Sequence, residues 1–136
     1  MATAVFKYAK CLDSTVQPEL LTATSGAAIT AGAPLVWSSG KLVEAVGGID
    51  THGVVGVAAH AVSAADMAIK YYPALPNVAF RTSSASAALT TGALYGLVAT
   101  TLLIDAANTT QTRLRVIEPV NAESEYLVVF NGWLTV

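Results

Sequence analysis

The chain has 136 residues, 54% of them hydrophobic and only 12% charged, with a formal net charge of −2 and a mean hydropathy of +0.56. Its seven basic residues, Lys7, Lys10, Lys41, Lys70, Arg81, Arg113 and Arg115, are too scattered for a phosphate-tracking surface, so no direct nucleic-acid partner is expected. The longest weakly polar stretch, Ala93 to Ile104, is too short to span a membrane as a helix, and a lone Cys11 excludes an intrachain disulfide.

A soluble monomer typically carries about 25% charged residues. With half that allowance, part of the exterior is expected to be covered by copies of the chain or by a larger partner. The length suffices for one domain, or two halves sharing one core, without metal or disulfides. The N-terminus lacks the basic start and apolar stretch of a secretion signal, so synthesis in the cytosol is expected.

In chain order, residues 1–24 differ from the rest and read as an N-terminal arm. The alternation at Val5-Phe6-Lys7-Tyr8 suggests a strand over Val5–Ala9, followed by a turn near Asp13–Pro18. Residues 25–136 read as a single β domain containing an internal repeat, 27–37 and 87–98. Ala27–Ala33 reads AAITAGA and, sixty positions later, Ala87–Ala93 reads AALTTGA, with five of the seven pairs identical. Each copy leads into an apolar run, Pro34–Trp37 and Leu94–Val98, so the chain is expected to make the same structural move twice.

Leu35–Trp37 and Lys41–Val46 flank Ser38-Ser39-Gly40 and read as a hairpin. Gly53–Ala61 is a small-apolar run suited to a strand buried on both faces. Ser63-Ala64-Ala65-Asp66 is a capping sequence for one or two helical turns. Met67–Tyr72 and Asn77–Thr82 are expected to pair around two prolines. Arg113–Glu118 alternates between a wet and a buried face. Tyr126–Asn131 and Trp133–Val136 flank Asn131-Gly132, a dipeptide favoured in tight hairpins. No helical apolar stripe persists over three turns. The expected class is all-β or nearly so, a small β-barrel or β-sandwich with at most one or two short helices.

The sequence offers no catalytic set, and the chain is not expected to be an enzyme. His52 and His60 are eight apart, about 27 Å along a strand, too far to share a metal; Asp50, Asp66 and Cys11 add no recognisable ligand spacing. His52 is expected in a turn or at the surface, His60 partly buried. Cys11 lacks a base partner and reads as a small apolar packer. Glu118, Glu123 and Glu125 read as solvated charges. There is no phosphate-binding glycine loop and no Gly-x-Ser-x-Gly elbow. No catalytic residue, metal or cofactor is assigned. Six residues are candidates for a protein interface: Phe6, Tyr8, Leu20 and Leu21 in the arm, and Trp37 and Trp133, since tryptophan is enriched at interface hot spots.

The phrase Ile29-Thr30-Ala31-Gly32-Ala33-Pro34-Leu35-Val36, the hairpin Ser39-Gly40-Lys41-Leu42-Val43 and the run Val55-Gly56-Val57-Ala58-Ala59 together resemble phage head decoration (cement) proteins of the lambda type and related groups. The likeness covers about Ser25 to Ala65 at the level of phrases and the remainder in composition. It implies a structural virion protein, made in the host cytoplasm and placed on the outer capsid surface. Such a protein, commonly a trimer, bridges neighbouring major capsid subunits against the pressure of packaged DNA. The chain departs from the family in its length and in its doubled phrase. Two other classes stay open: a phage tail or surface module that recognises a glycan or receptor, and a small β-barrel enzyme whose site is assembled from separated residues.

Overall fold

Both copies of the doubled phrase fold into the same turn. In a computed structural model of the chain, the amide of Ala33 donates to the carbonyl of Thr30 and that of Ala93 to Thr90, each at 3.1 Å. The third turn residue is Gly32 at φ 82° in one copy and Gly92 at φ 85° in the other. A side chain rarely tolerates that left-handed backbone, which is why glycine stands in both copies. The next hydrogen bonds match too. Gly32 N–H donates to Ala58 and the Ala58 N–H returns to Ala33; Gly92 N–H donates to Val116 and the Val116 N–H returns to Ala93.

The structure describes residues 6–12, 17–45, 53–75, 77–84, 89–98, 103–105, 107, 114–121 and 125–130. The described strands are β1 (Lys7–Cys11), β2 (Leu21–Thr24), β3 (Pro34–Ser38), β4 (Lys41–Glu44), β5 (Gly56–Ala58), β6 (Ala68–Pro73), β7 (Val78–Ser83), β8 (Leu94–Leu97), β9 (Ile104–Asp105), β10 (Leu114–Asn121) and β11 (Glu125–Val129). They form two antiparallel sheets, ordered β2-β6-β5-β3-β4 and β1-β7-β11-β10-β8-β9. Leaving β1 aside, the second order is the first advanced by five strands. The two halves of the chain therefore repeat one five-stranded topology, and β1 is an extra strand on the outer edge of β7.

The repeat extends to register. Leu21 to Thr24 oppose Tyr71 to Ala68, and Phe80 to Ser83 oppose Val128 to Glu125. Single-residue parallel bridges join Ser25 to Leu42 and Ser84 to Ile104, so each sheet curls toward its own far edge without closing into a barrel. The β3–β4 hairpin turns through Ser39 at φ 51° and Gly40 at φ 80°, two successive positive values that match the right-handed twist of the strands.

Each half has its own core. In the first, Ile29, Leu35, Leu42, Ala58, Ile69 and Tyr71 are buried together. At the matching positions of the second, Tyr95, Ile104, Val116, Tyr126 and Val128 are buried with Phe6, Phe80 and Phe130, and Leu89 packs against them. Only Gly56–Ala58 of the expected strand Gly53–Ala61 forms β5, and this short piece is buried on both faces: Ala58 belongs to the first core and Val57 to the second. Tyr72 of the first half stacks on Tyr8 at 5.1 Å and meets Phe80 edge-on at 6.5 Å, so the halves interlock through β1.

Four expectations are corrected. The described parts of the segment 1–24, residues 6–12 and 17–24, do not stand outside the fold as an arm: β1 pairs with β7 and β2 with β6 of the same chain. β2 belongs to the first of two repeated halves, each with its own core, so the repeat begins before residue 25, and the first described strand is Lys7–Cys11 rather than Val5–Ala9. Met67–Tyr72 and Asn77–Thr82 do become β6 and β7 but lie in different sheets, since both edges of each are already occupied by other partners. Ser63–Asp66 starts no helix: Asp66 takes φ 65° and its amide donates to Ser25, which fixes a bend instead. No helix occurs among the described residues. The hairpin expected around Asn131-Gly132 lies outside them.

Candidate functional site

The candidate interface residues fall into three situations. Phe6 is fully buried, its ring 5.3 Å from that of Phe130, and its amide donates to Gly32 of the first half at 2.9 Å. It therefore anchors β1 within the molecule and presents no contact surface. Tyr8 and Leu20 are half-buried. The Tyr8 hydroxyl donates to Cys11 Sγ at 3.7 Å, and burial, followed by the neighbouring Cys11, holds its phenol above the usual pKa. Leu21 and Trp37 are open, at 44% and 51% exposure. Trp133 lies outside the described residues.

Leu21 borders an apolar groove of about 470 Å³ lined by Cys11, Pro18, Leu21, Pro73, Leu75 and Val78. The groove forms where the ends of β1 and β6 meet the starts of β2 and β7. Leu75, 48% exposed, and Leu12, 44% exposed next to Cys11, extend the apolar surface. Sequence reasoning did not single out Leu12 or Leu75. The available signal was a leucine held between Pro73 and Pro76, where a turn leaves no core to receive it.

Trp37 is the last inward-facing position of β3, opposite Leu42. Its counterpart in the second half is the buried Leu97, opposite Ile104. A bulkier ring stands at the same place on a short hairpin, and no described strand covers it.

Several other polar residues are held in structural bonds. His60 is exposed, not partly buried: its Nε2 accepts from the Lys70 amide at 3.2 Å, and Nδ1 lies 3.1 Å from the Ala61 carbonyl. That geometry assigns the ring proton to Nδ1 in the neutral form. Cys11 is buried in the second core. Glu125 pairs with Arg81, and Lys41 with Asp66; Glu118 approaches Lys10 at 3.9 Å. Glu44 caps the first repeated turn, its Oε2 accepting from the Thr30 amide at 2.6 Å. In the second turn the Thr90 amide donates to the Tyr95 hydroxyl at 2.9 Å instead. Among the described residues no three His, Cys, Asp or Glu side chains come together as a metal site. His52 and Glu123 lie outside them. The described surface carries an apolar groove and an exposed tryptophan on a β scaffold.

No protein-family model matches the chain, and no curated protein matches it.

Proposed function

We propose that this chain is a structural virion protein that binds the outer surface of a phage capsid and stabilises it by bridging major capsid subunits, assembling as a homotrimer. The observation that carries the reading is a set of exposed large apolar side chains, Leu21 and Leu75 at the groove, Leu12 next to Cys11, and Trp37 on the β3–β4 hairpin, on two repeated, interlocked β units. Large apolar side chains on a rigid, low-charge scaffold suit a protein whose exterior is completed by its partners. The phrase-level likeness around Ile29–Ala59 adds the class of partner. The test is co-sedimentation of the purified protein with expanded capsids of a candidate phage, followed by heating. Saturable binding that raises the temperature of capsid disruption supports the reading; failure to bind intact capsids overturns it.

A second reading is a tail or surface module that recognises a glycan. Trp37 favours it, because an open indole on a hairpin is a stacking platform for a sugar ring. Glycan titration followed by tryptophan fluorescence separates the two, since a cement protein gives no response.

A further inference from the structure

The two halves share strand order and register, yet they are not equally covered. β1 runs antiparallel along the start of β7, placing Lys7 opposite Arg81, Tyr8 opposite Phe80, Lys10 opposite Ala79 and Cys11 opposite Val78. By the shared register with β11 and β6, Phe80 corresponds to Leu21 and Arg81 to Thr22, so the stretch corresponding to Val78–Arg81 is Glu19–Thr22. On that side of β2 the described neighbour is β4, which bridges only at Ser25–Leu42 and leaves the start of β2 without a described strand. Phe80 is fully buried and Leu21 is 44% exposed, and the apolar groove opens beside Leu21.

The backbone of this edge is also available. Ser25 donates its amide to Met67 and accepts from Asp66, both toward β6. Peptide groups alternate in direction along a strand, so Thr22 aims its N–H and C=O away from β6, toward the open side. Open edges are ordinarily blunted by charge, proline or bulges. β1 carries Lys7, Lys10 and a bulge, β4 carries Lys41 and Glu44, and β9 is two residues long. β2 itself reads Leu-Thr-Ala-Thr without charge, proline or bulge; Pro18 and Glu19 stand just before it, and Glu19 is the one charge of the stretch Glu19–Thr22.

We propose that the edge of β2 is a strand-acceptor site that receives an extended segment of a partner protein, antiparallel to β2 and seated as β1 is on β7. The internal counterpart defines the partner's chemistry. An aromatic residue stands opposite Leu21, as Tyr8 stands opposite Phe80, and closes the groove over Leu21. Alternate positions carry cations. On β7 the strand sets Lys7 against Arg81, a like-charge opposition; on β2 the same position meets the neutral Thr22, and a lysine opposite Leu20 lies next to the Glu19 carboxylate. Main-chain bonds supply affinity and the alternate side chains set the register. This surface does not depend on the capsid reading and would operate under either function.

The probe is a synthetic peptide with the sequence of residues 4–12, added to the intact protein. Expected are saturable binding, slower exchange of the Thr22 amide, and shifted resonances of Leu21. Thr22→Pro removes the outward N–H and none that bonds to β6, so it should weaken binding at least tenfold while the protein still unfolds in one cooperative transition. Leu21→Ala, which keeps the backbone donor, should weaken it less. Three results overturn the proposal: no binding at millimolar peptide, undiminished binding to Thr22→Pro, or Thr22 protection that grows with protein concentration without peptide. The second means that the peptide displaces β1 from β7, and the third that the occupant is a second copy of the chain.

Discussion

The ring of Tyr71 occupies the space where a side chain on Gly56 would have to begin. A Cβ built on Gly56 falls under 3.0 Å from both the Tyr71 ring and the Tyr72 carbonyl oxygen, closer than real Cβ atoms approach. Gly56 and Tyr71 face the first core from adjacent strands, β5 and β6. In the second half the corresponding residues are Leu114 and Val128, both buried. One half fills the space from β6 with a tyrosine, and the other fills it from β10 with a leucine.

Gly56→Ala should therefore destabilise the protein by about 1–3 kcal/mol, the range for overpacking a tight core. The midpoint of urea unfolding measures it. Adding Tyr71→Ala should not restore wild-type stability, because the backbone carbonyl of Tyr72 remains in the way. Equal midpoints for Gly56→Ala and wild type would contradict the close approach.

Thr82 is the one place where the second core buries a hydroxyl without a hydrogen-bond partner among the described residues. Its counterpart in β2 is Ala23. Thr82→Val keeps the shape and removes the unmet polar atom, so it should stabilise by about 1 kcal/mol. A differential scanning calorimetry trace with a lower melting temperature would show that the hydroxyl has a partner after all.

The two repeated turns rely on different acceptors, a carboxylate and a phenol. Tyr95→Phe leaves the partly buried Thr90 amide without its acceptor and should cost about 1–2 kcal/mol. Glu44→Ala exposes the Thr30 amide to water, which can replace the lost bond, so the cost should be smaller. Paired denaturation curves of the two variants decide the order.

Tyr8 gives an alkaline signature. Its phenol titrates above the value of about 10 that it has in an unfolded chain, through burial and then the contact with Cys11. Between those two pKa values the unfolded chain releases the proton while the folded chain keeps it. Stability from this group is thus fully present below about pH 10 and is lost as pH rises through the folded pKa. Subtracting the pH profile of Tyr8→Phe from that of wild type isolates it; a difference that grows in favour of wild type above pH 10 would reverse the sign.

Several features were legible in the residues themselves. The period-2 runs, the short intervals between turn signals and the missing helical stripe led to an all-β chain. The AAITAGA and AALTTGA phrases led to two equivalent turns, since only glycine accepts the φ of Gly32 and Gly92 without strain. Ser39-Gly40 likewise marked the β3–β4 hairpin. These are local preferences, set by a few dihedral angles and by the side chains flanking them.

Long-range pairing was decided only in three dimensions. Outside the turn phrases and their following strands, the halves share a register but little sequence: β2 and β7, reading LTAT and VAFRTS, are equivalent only through their partners β6 and β11. The positions tolerate exchange because a core constrains summed volume more than identity, as Gly56 with Tyr71 against Leu114 with Val128 shows. The fate of Phe6 was hidden for a related reason. An apolar residue near a terminus has the same local signature whether it serves a partner or its own core. The pairing of β1 with β7 accompanies the burial of Phe6, whereas Leu21 is exposed at the start of β2, where no described strand lies alongside.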